Sequence, residues 1–248
     1  MKISIVGYGQ MGQLIERCAR ERSIKIASTI DPFHPDATHK TIDAESMKEV
    51  DVCICFTQPD VAFDNIKDVC QYKKHAVIGT TGWTGRMEEV RKMVDESGIG
   101  LVYSSNFSIG VNIFFKLIEQ AAKVMNAFDV YDVLGWEAHH NRKMDSPSGT
   151  ATTIANMLLQ QIERKTKVVE EKLDRKIEPE ELHFASMRCG NIPGTHAVLF
   201  DSEFDTIELK HTARNRLGFA TGAVIASEWI KDKTGLFTEA DMMKQMLG

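Results

Sequence analysis

Lys2-Ile3-Ser4-Ile5-Val6-Gly7-Tyr8-Gly9-Gln10-Met11-Gly12 is the stretch that decides how the first half of the chain folds. Its first five residues make a short β-rich run. The six that follow match G-x-G-x-x-G at the place where a strand gives way to a helix. Gly7 admits the tight turn, Gly9 lets the backbone approach a pyrophosphate, and Gly12 allows helix and strand to pack closely. Helical spacing continues from Met11 to Arg22, with Met11, Leu14, Ile15 and Cys18 on one face. The free N–H groups and partial positive charge at such a helix start favour phosphate. Ile24 to Ile30 reads as the second strand and ends on Asp31, about twenty residues past the glycines, where an acid can bind ribose hydroxyls. A dinucleotide site built from Gly7, Tyr8, Gly9, Gln10, Met11, Gly12 and Asp31 is therefore expected. A carboxylate at Asp31 repels a 2′-phosphate, and Pro32-Phe33-His34 adds no Arg or Lys, so NADH is expected in preference to NADPH.

Working outward, strands and helices alternate: strands at Val50 to Phe56, His75 to Ile78 and Ile99 to Ser104, helices from Pro59 to about Tyr72 and Arg86 to Glu96. That alternation predicts an α/β fold with a parallel, doubly wound sheet, a Rossmann-type dinucleotide-binding domain. After Asn106 the pattern changes. A long helix, Gly110 to Ala127, precedes a strand at Phe128 to Glu137 and a helix at Thr150 to Glu163. Thr166 to Glu181 is charge-rich and reads as a solvated loop. Strands then follow at Leu182 to Arg188, His196 to Asp201 and Ile207 to Thr212. Strands with few helices between them predict an α+β domain with a mixed sheet. The expected boundaries are 1–106 for the dinucleotide domain, completed by about 218–248, and 107–217 for the second domain.

The 248 residues carry a net charge of −5 with no basic stripe, which argues against nucleic acid as a partner. No apolar run is long enough to span a membrane, and Ile3 to Val6 is too short for a signal peptide. Five cysteines form no paired framework. Cys53 and Cys55 sit in an apolar run, so reduced core thiols in a cytoplasmic protein are expected. No Cys or His set at structural-zinc spacing is found, so no metal is expected.

The chemistry is concentrated in Glu137-Ala138-His139-His140-Asn141-Arg142-Lys143-Met144-Asp145-Ser146-Pro147-Ser148-Gly149-Thr150-Ala151. His139 and Lys143, four apart, share a face on either a strand or a helix. A histidine exchanges protons near neutral pH, and a partly buried lysine is a useful acid. Ser148-Gly149-Thr150 before a helical run reads as an N-terminal cap whose free N–H groups suit a carboxylate.

This segment resembles the signature of the dihydrodipicolinate reductase family, E-x-H-H-x-x-K-x-D-x-P-S-G-T-A, at every specified position. Gly79-Thr80-Thr81-Gly82, Ser104-Ser105-Asn106-Phe107-Ser108-Ile109-Gly110-Val111-Asn112, Arg188 with Gly190, Gly194 with His196, the stretch from His211 to Arg216 and Gly235-Leu236-Phe237 are also similar to that family, so the likeness covers essentially the whole chain. The resemblance implies NAD(P)H-dependent hydride transfer to a cyclic unsaturated dicarboxylate in diaminopimelate and lysine biosynthesis. It implies that Gly79, Thr80 and Thr81 with Ser104, Ser105, Asn106 and Phe107 flank the nicotinamide. It further implies His139 as proton donor or acceptor, Lys143 as a second donor, and His140, Ser148, Gly149 and Thr150 as the substrate's carboxylate site. A homotetramer assembled through the second sheet, and a C-terminal helix returning to the dinucleotide domain, are implied as well. The sequence departs from the family at Gln10 and Pro32, where many members carry Arg; both changes remove positive charge near the cofactor phosphates.

Two other readings are open to test. One is an amino-acid or aldehyde dehydrogenase of similar two-domain plan; the aldehyde type needs an activated cysteine, for which Cys189 is the candidate in the second domain. A dinucleotide sensor without catalysis has no use for His139, Lys143 and the Ser-Gly-Thr turn together.

Overall fold

The computed structural model describes residues 1–247. In chain order its elements are β1 (Lys2–Val6), α1 (Gln10–Glu21), β2 (Lys25–Ile30), β3 (Val52–Cys55), α2 (Ala62–Gln71), β4 (His75–Ile78), α3 (Met87–Ser97) and β5 (Gly100–Tyr103). There follow α4 (Ile109–Asn126), β6 (Asp132–His139), α5 (Gly149–Gln161), β7 (Lys167–Val169), β8 (Glu181–Arg188), β9 (Thr195–Asp201) and β10 (Thr206–Thr212). The chain ends with α6 (Leu217–Ile230), β11 (Gly235–Thr238) and α7 (Glu239–Leu247). It divides into two compact units, Met1–Ile109 with Arg216–Gly248, and Gly110–Asn215.

The first unit is a parallel sheet in the order β11-β5-β4-β3-β1-β2. Its strands are short and apolar because both faces are covered. Ile3, Ile5, Val52, Ile54 and Val102 pack with residues of α1 and α6 on one side. Val6, Cys53, Cys55, Ala76 and Ile78 pack with residues of α2 and α3 on the other. Each fully buried aliphatic side chain there stabilises the fold by roughly 1.5–3 kcal/mol before chain entropy is counted. Cys53 and Cys55 are free and buried, and burial pushes both thiols well up. The edge strand β11 pairs in parallel with β5.

The second unit holds a mixed sheet in the order β10-β9-β6-β8-β7. β6 runs parallel to β8 and antiparallel to β9. One face carries Val133, Phe184, Val198 and Phe200, packed against Phe114 and Ile118 of α4 and Ile154 and Leu158 of α5. Strand alternation continues that same face into Glu137 and His139 on β6, Ser186 and Arg188 on β8, His196 on β9 and His211 on β10. The covered face is thus apolar over most of its length and polar at the end where β6 finishes.

Two expectations need correction here. β6 starts four residues later than predicted, because Phe128 and Val130 lie exposed in a turn, and it runs on to His139. The segment from Thr166 to Glu181 is also more than a solvated loop. Lys167–Val169 adds a parallel edge strand to β8, with two adjacent valines supplying the β propensity. Three of its charges are tied together: Arg175, the N–H of Glu178 and Lys167 hold the Glu181 carboxyl down at about 2. The buried Lys165 donates to the carbonyls of Pro179 and Glu181, 2.8 Å each.

Candidate active site

The glycine loop follows β1 directly. Gly7 has φ +91°, and a Cβ there would run into the carbonyl of Phe56. Gly9 caps α1 with no side-chain hydrogen bond, and nothing lies within 4 Å of where its Cβ would be. Open space thus stands over the uncapped start of a helix, the arrangement an anion needs. Asp31, at the end of β2, accepts from the N–H groups of Tyr8 at 2.9 Å, Phe33 at 2.9 Å and His34 at 3.0 Å. Burial alone would raise its carboxyl, but these three donors win and lower it, so Asp31 is held ionised beside the loop. Residues 7–12 and Asp31 therefore form one cluster that fits a dinucleotide.

Other members of the loop are placed as follows. Tyr8 hydrogen-bonds Glu16 through its hydroxyl, which, with burial, raises that phenol to about 12. Met11 is partly buried against the core, while Gly12 packs on the carbonyl of Gly7. Gln10 accepts from Arg216 Nη1 at 2.7 Å. A guanidinium thus stands at the loop after all, delivered by the start of α6 rather than by position 10.

Thr80, Thr81, Ser104 and Ser105 line a cleft of about 290 Å³ together with Tyr103 and Glu239. Thr80 Oγ1 accepts from the N–H of Thr57 at 2.8 Å, and Gly79 packs against the ring of Phe56. Asn106 braces the next turn by accepting from the N–H of Ser108 at 2.9 Å. Phe107 is 2% exposed and belongs to the core, its carbonyl packs against Gly222 of α6, and it does not line that cleft. A larger surface cleft, about 440 Å³, is lined by Met1, Asp51 and His75 at the opposite ends of the strands. Ligands of parallel sheets bind at the carboxyl ends, where the glycine loop lies.

In the second unit the site is built at the end of β6. Glu137 and His139 sit two apart on one face, and His196 is the register partner of Glu137 on β9. Glu137 Oε2 meets His139 Nδ1 directly. Glu137 Oε1 accepts from Arg188 Nη1 at 2.9 Å and from the N–H of Ser148 at 3.3 Å. Burial opposes ionisation of Glu137, yet Ser186, Arg188 and His139 lower it, so it is a carboxylate. Burial lowers His139, Glu137 pulls it back up, and Lys143 and Arg188 push it down again. His196 is pushed down to about 4 by burial and by neighbouring His139, so its ring is neutral near pH 7.

Ser148 is the cap of α5. Its Oγ accepts from the N–H of Ala151 at 3.2 Å and lies 3.1 Å from His196 Nε2. Gly149 and Thr150, at the first positions of the helix, keep outward N–H donors, and the space beside Gly149 is open. Lys143 does not share a regular element with His139: it lies in the turn after β6, and its amine is paired with Asp145 at 2.7 and 2.8 Å. His140 lies in the same turn, with Nδ1 buried and without a hydrogen-bond partner among the described residues. The sequence alone assigns no role to Glu137, Arg188 or His196, because burial and cross-strand register carry their significance. Gly194 is a further case: a Cβ there would stand 3.0 Å from His139 Nε2.

The family model described as dihydrodipicolinate reductase, N-terminus, matches residues 1–107, and that described as dihydrodipicolinate reductase, C-terminus, matches residues 110–243. The chain belongs to the dihydrodipicolinate reductase family. A relative from Christiangramia forsetii, named 4-hydroxy-tetrahydrodipicolinate reductase, is 40% identical over 99% of each chain. One of the same name from Methanoregula boonei is 34% identical over 98% of this chain and 97% of its own. The fold is shared with the dipicolinate-bound dihydrodipicolinate reductase of Paenisporosarcina sp. TG-14, at a TM-score of 0.80 and 22% identity over 98% and 99% of the two chains. Within this reductase family, the glycine loop and the His139 cluster fall one in each of the two matched segments. Cys189 follows Arg188 and its N–H donates to the carbonyl of His139 at 2.9 Å, but its thiol is exposed and has no base as hydrogen-bond partner among the described residues, which leaves the aldehyde-type reading without an activated nucleophile.

Proposed function

We propose that this chain is an NAD(P)H-dependent oxidoreductase that reduces 4-hydroxy-tetrahydrodipicolinate to tetrahydrodipicolinate, a step of diaminopimelate and lysine biosynthesis. The observation that carries this reading is the juxtaposition at the start of α5. An imidazole backed by a carboxylate stands in the same buried network as the cap of a helix whose first N–H groups are free. A dicarboxylate needs such donors, and a ring carbon that has become electron-rich needs a nearby acid.

The dinucleotide, when bound, supplies the hydride. Gly7 to Gly12 would hold its pyrophosphate through backbone N–H groups, with Arg216 adding a positive charge beside Gln10. Asp31 would accept from the adenosine ribose hydroxyls, and Gly79 to Thr81 with Ser104 to Phe107 would flank the nicotinamide. In the second unit, Gly149 and Thr150 with Ser148 and His140 would bind the carboxylates. His139 would release its proton from Nε2, and Lys143 is the second donor. The ionised Asp31 supports NADH over NADPH, since it repels a third phosphate.

We also assign the outward face of the second sheet to assembly of a homotetramer. Leu134 and Met187 are 39% and 46% exposed there, an apolar surface that association would cover. We place the protein in the cytoplasm, in keeping with five free cysteines. No helix among the described residues is long and apolar enough to cross a membrane.

His139→Ala tests the reading. Turnover should fall by roughly two to four powers of ten, the usual worth of a positioned acid. Near-normal turnover would remove His139 from that role.

A further inference from the structure

We propose that Glu137 is the positioning residue for the proton donor: its carboxylate accepts the Nδ1–H of His139 and so leaves Nε2 as the reacting nitrogen. The inference rests on the reading of His139 as the acid. Glu137 is fully buried, at 0% exposure. A buried carboxylate is costly unless it is paired and hydrogen-bonded, and a well-packed apolar side chain would serve the core as well or better. The use of the carboxylate must therefore be sought in what it holds.

It holds three things. Oε2 meets His139 Nδ1, and Oε1 takes Arg188 Nη1 and the N–H of Ser148. The acid, the guanidinium at the end of β8 and the cap of α5 are thus fastened to one side chain. An imidazole held at one nitrogen by a carboxylate has a fixed tautomer, a fixed ring plane and a more basic second nitrogen. Gly194 keeps the space beside Nε2 free of a side chain. Glu137, His139 and His196 also bring ligand atoms within 4.8 Å of one another, a set that could hold a divalent metal. Glu137 is already engaged by Arg188, Ser148 and His139, which favours the orienting use.

The charged and titratable groups around His139 are Glu137 on its own strand, Lys143 in the following turn, Arg188 on β8 and His196 on β9. Of these, only Glu137 raises the pKa of His139 by both charge and hydrogen bond. Removing its charge should move the pH at which the acid is lost downward.

The test compares wild type, Glu137→Gln, Glu137→Asp and His139→Gln by kcat/KM against pH, NADH binding by fluorescence, and imidazole ¹⁵N resonances. In wild type, the neutral His139 ring should carry its proton on Nδ1. Glu137→Gln should lose about ten- to a hundredfold in kcat/KM. Its alkaline limb should start at lower pH, NADH binding should hold, and Glu137→Asp should recover part of the loss. A wild-type ring protonated on Nε2 overturns the proposal without recourse to any variant, as does an unmoved pH limb in Glu137→Gln. Zinc that binds wild type tightly, and not Glu137→Gln, would overturn it in favour of a metal site. Full turnover in His139→Gln would instead sink the acid reading, while the tautomer would still judge Glu137 as an orienting partner.

Discussion

His196→Gln should remove a large part of the acid sensitivity of the second unit. In the fold, burial and the neighbouring His139 push His196 down to about 4, whereas an unfolded chain has it near its ordinary value of about 6.5. Between those two values the unfolded chain carries a proton that the folded chain does not. Stability is therefore complete above about pH 6.5 and falls as the pH drops, by up to about 1.4 kcal/mol per unit. Across the window that amounts to about 3 kcal/mol, and below about pH 4 the loss stops because the folded ring protonates too. Glutamine keeps a polar group near Ser148 but does not titrate. At pH 7.5 the variant should be less stable by about 1 kcal/mol, the worth of an imperfect hydrogen bond. Near pH 4.5 the gap should close or reverse. Urea unfolding of both proteins at constant ionic strength, from pH 4 to 7.5, measures this directly. Parallel stability curves over the whole range would refute a neutral buried His196.

Three further outcomes are expected. Gly194→Ala would set a methyl 3.0 Å from His139 Nε2 at a backbone φ of +152° that strains any side chain, so stability should fall and kcat/KM of the folded enzyme should drop by about a hundredfold; unchanged kcat/KM would show that the space is not used. Asp31→Asn removes the charge but keeps the shape, so the KM ratio should swing toward NADPH by about tenfold, an effect of about 1.4 kcal/mol; an unchanged ratio would release Asp31 from cofactor choice. Burial raises Glu239 to about 7, so the folded chain keeps a proton from about pH 4.5 to 7 that the unfolded chain has lost, and stability falls as pH rises through that range. Glu239→Gln should accordingly gain about 1–2 kcal/mol above pH 7 and nothing below pH 4.5, read by thermal melts across pH.

The dinucleotide half was legible because its signals are local. A strand, three glycines and an acid about twenty residues on are all set by backbone needs that one segment can display. Asp31 was readable as a residue, but not its three N–H donors, which come from a loop and a turn on either side. Arg216 at Gln10 lay outside local reasoning, since the two are 206 positions apart. The chemical segment was legible in composition and only partly in geometry. Equal spacing suggested one face for His139 and Lys143, but the strand ends at His139 and the chain turns. His196 enters through antiparallel register with Glu137, which no periodicity within β6 or β9 reveals. The short strand Lys167–Val169 was hidden among charges and is stabilised by pairing with β8, a tertiary contribution that overrides its composition.

The central claim, that this chain reduces the cyclic dicarboxylate with a nicotinamide cofactor, is tested most directly by a coupled assay. Aspartate semialdehyde and pyruvate are supplied with the synthase that condenses them, and loss of absorbance is followed with NADH and, separately, with NADPH. Oxidation that depends on the synthase, faster with NADH, is the predicted result. Cofactor that binds but is never oxidised under those conditions would contradict the account and favour a sensor or a different substrate.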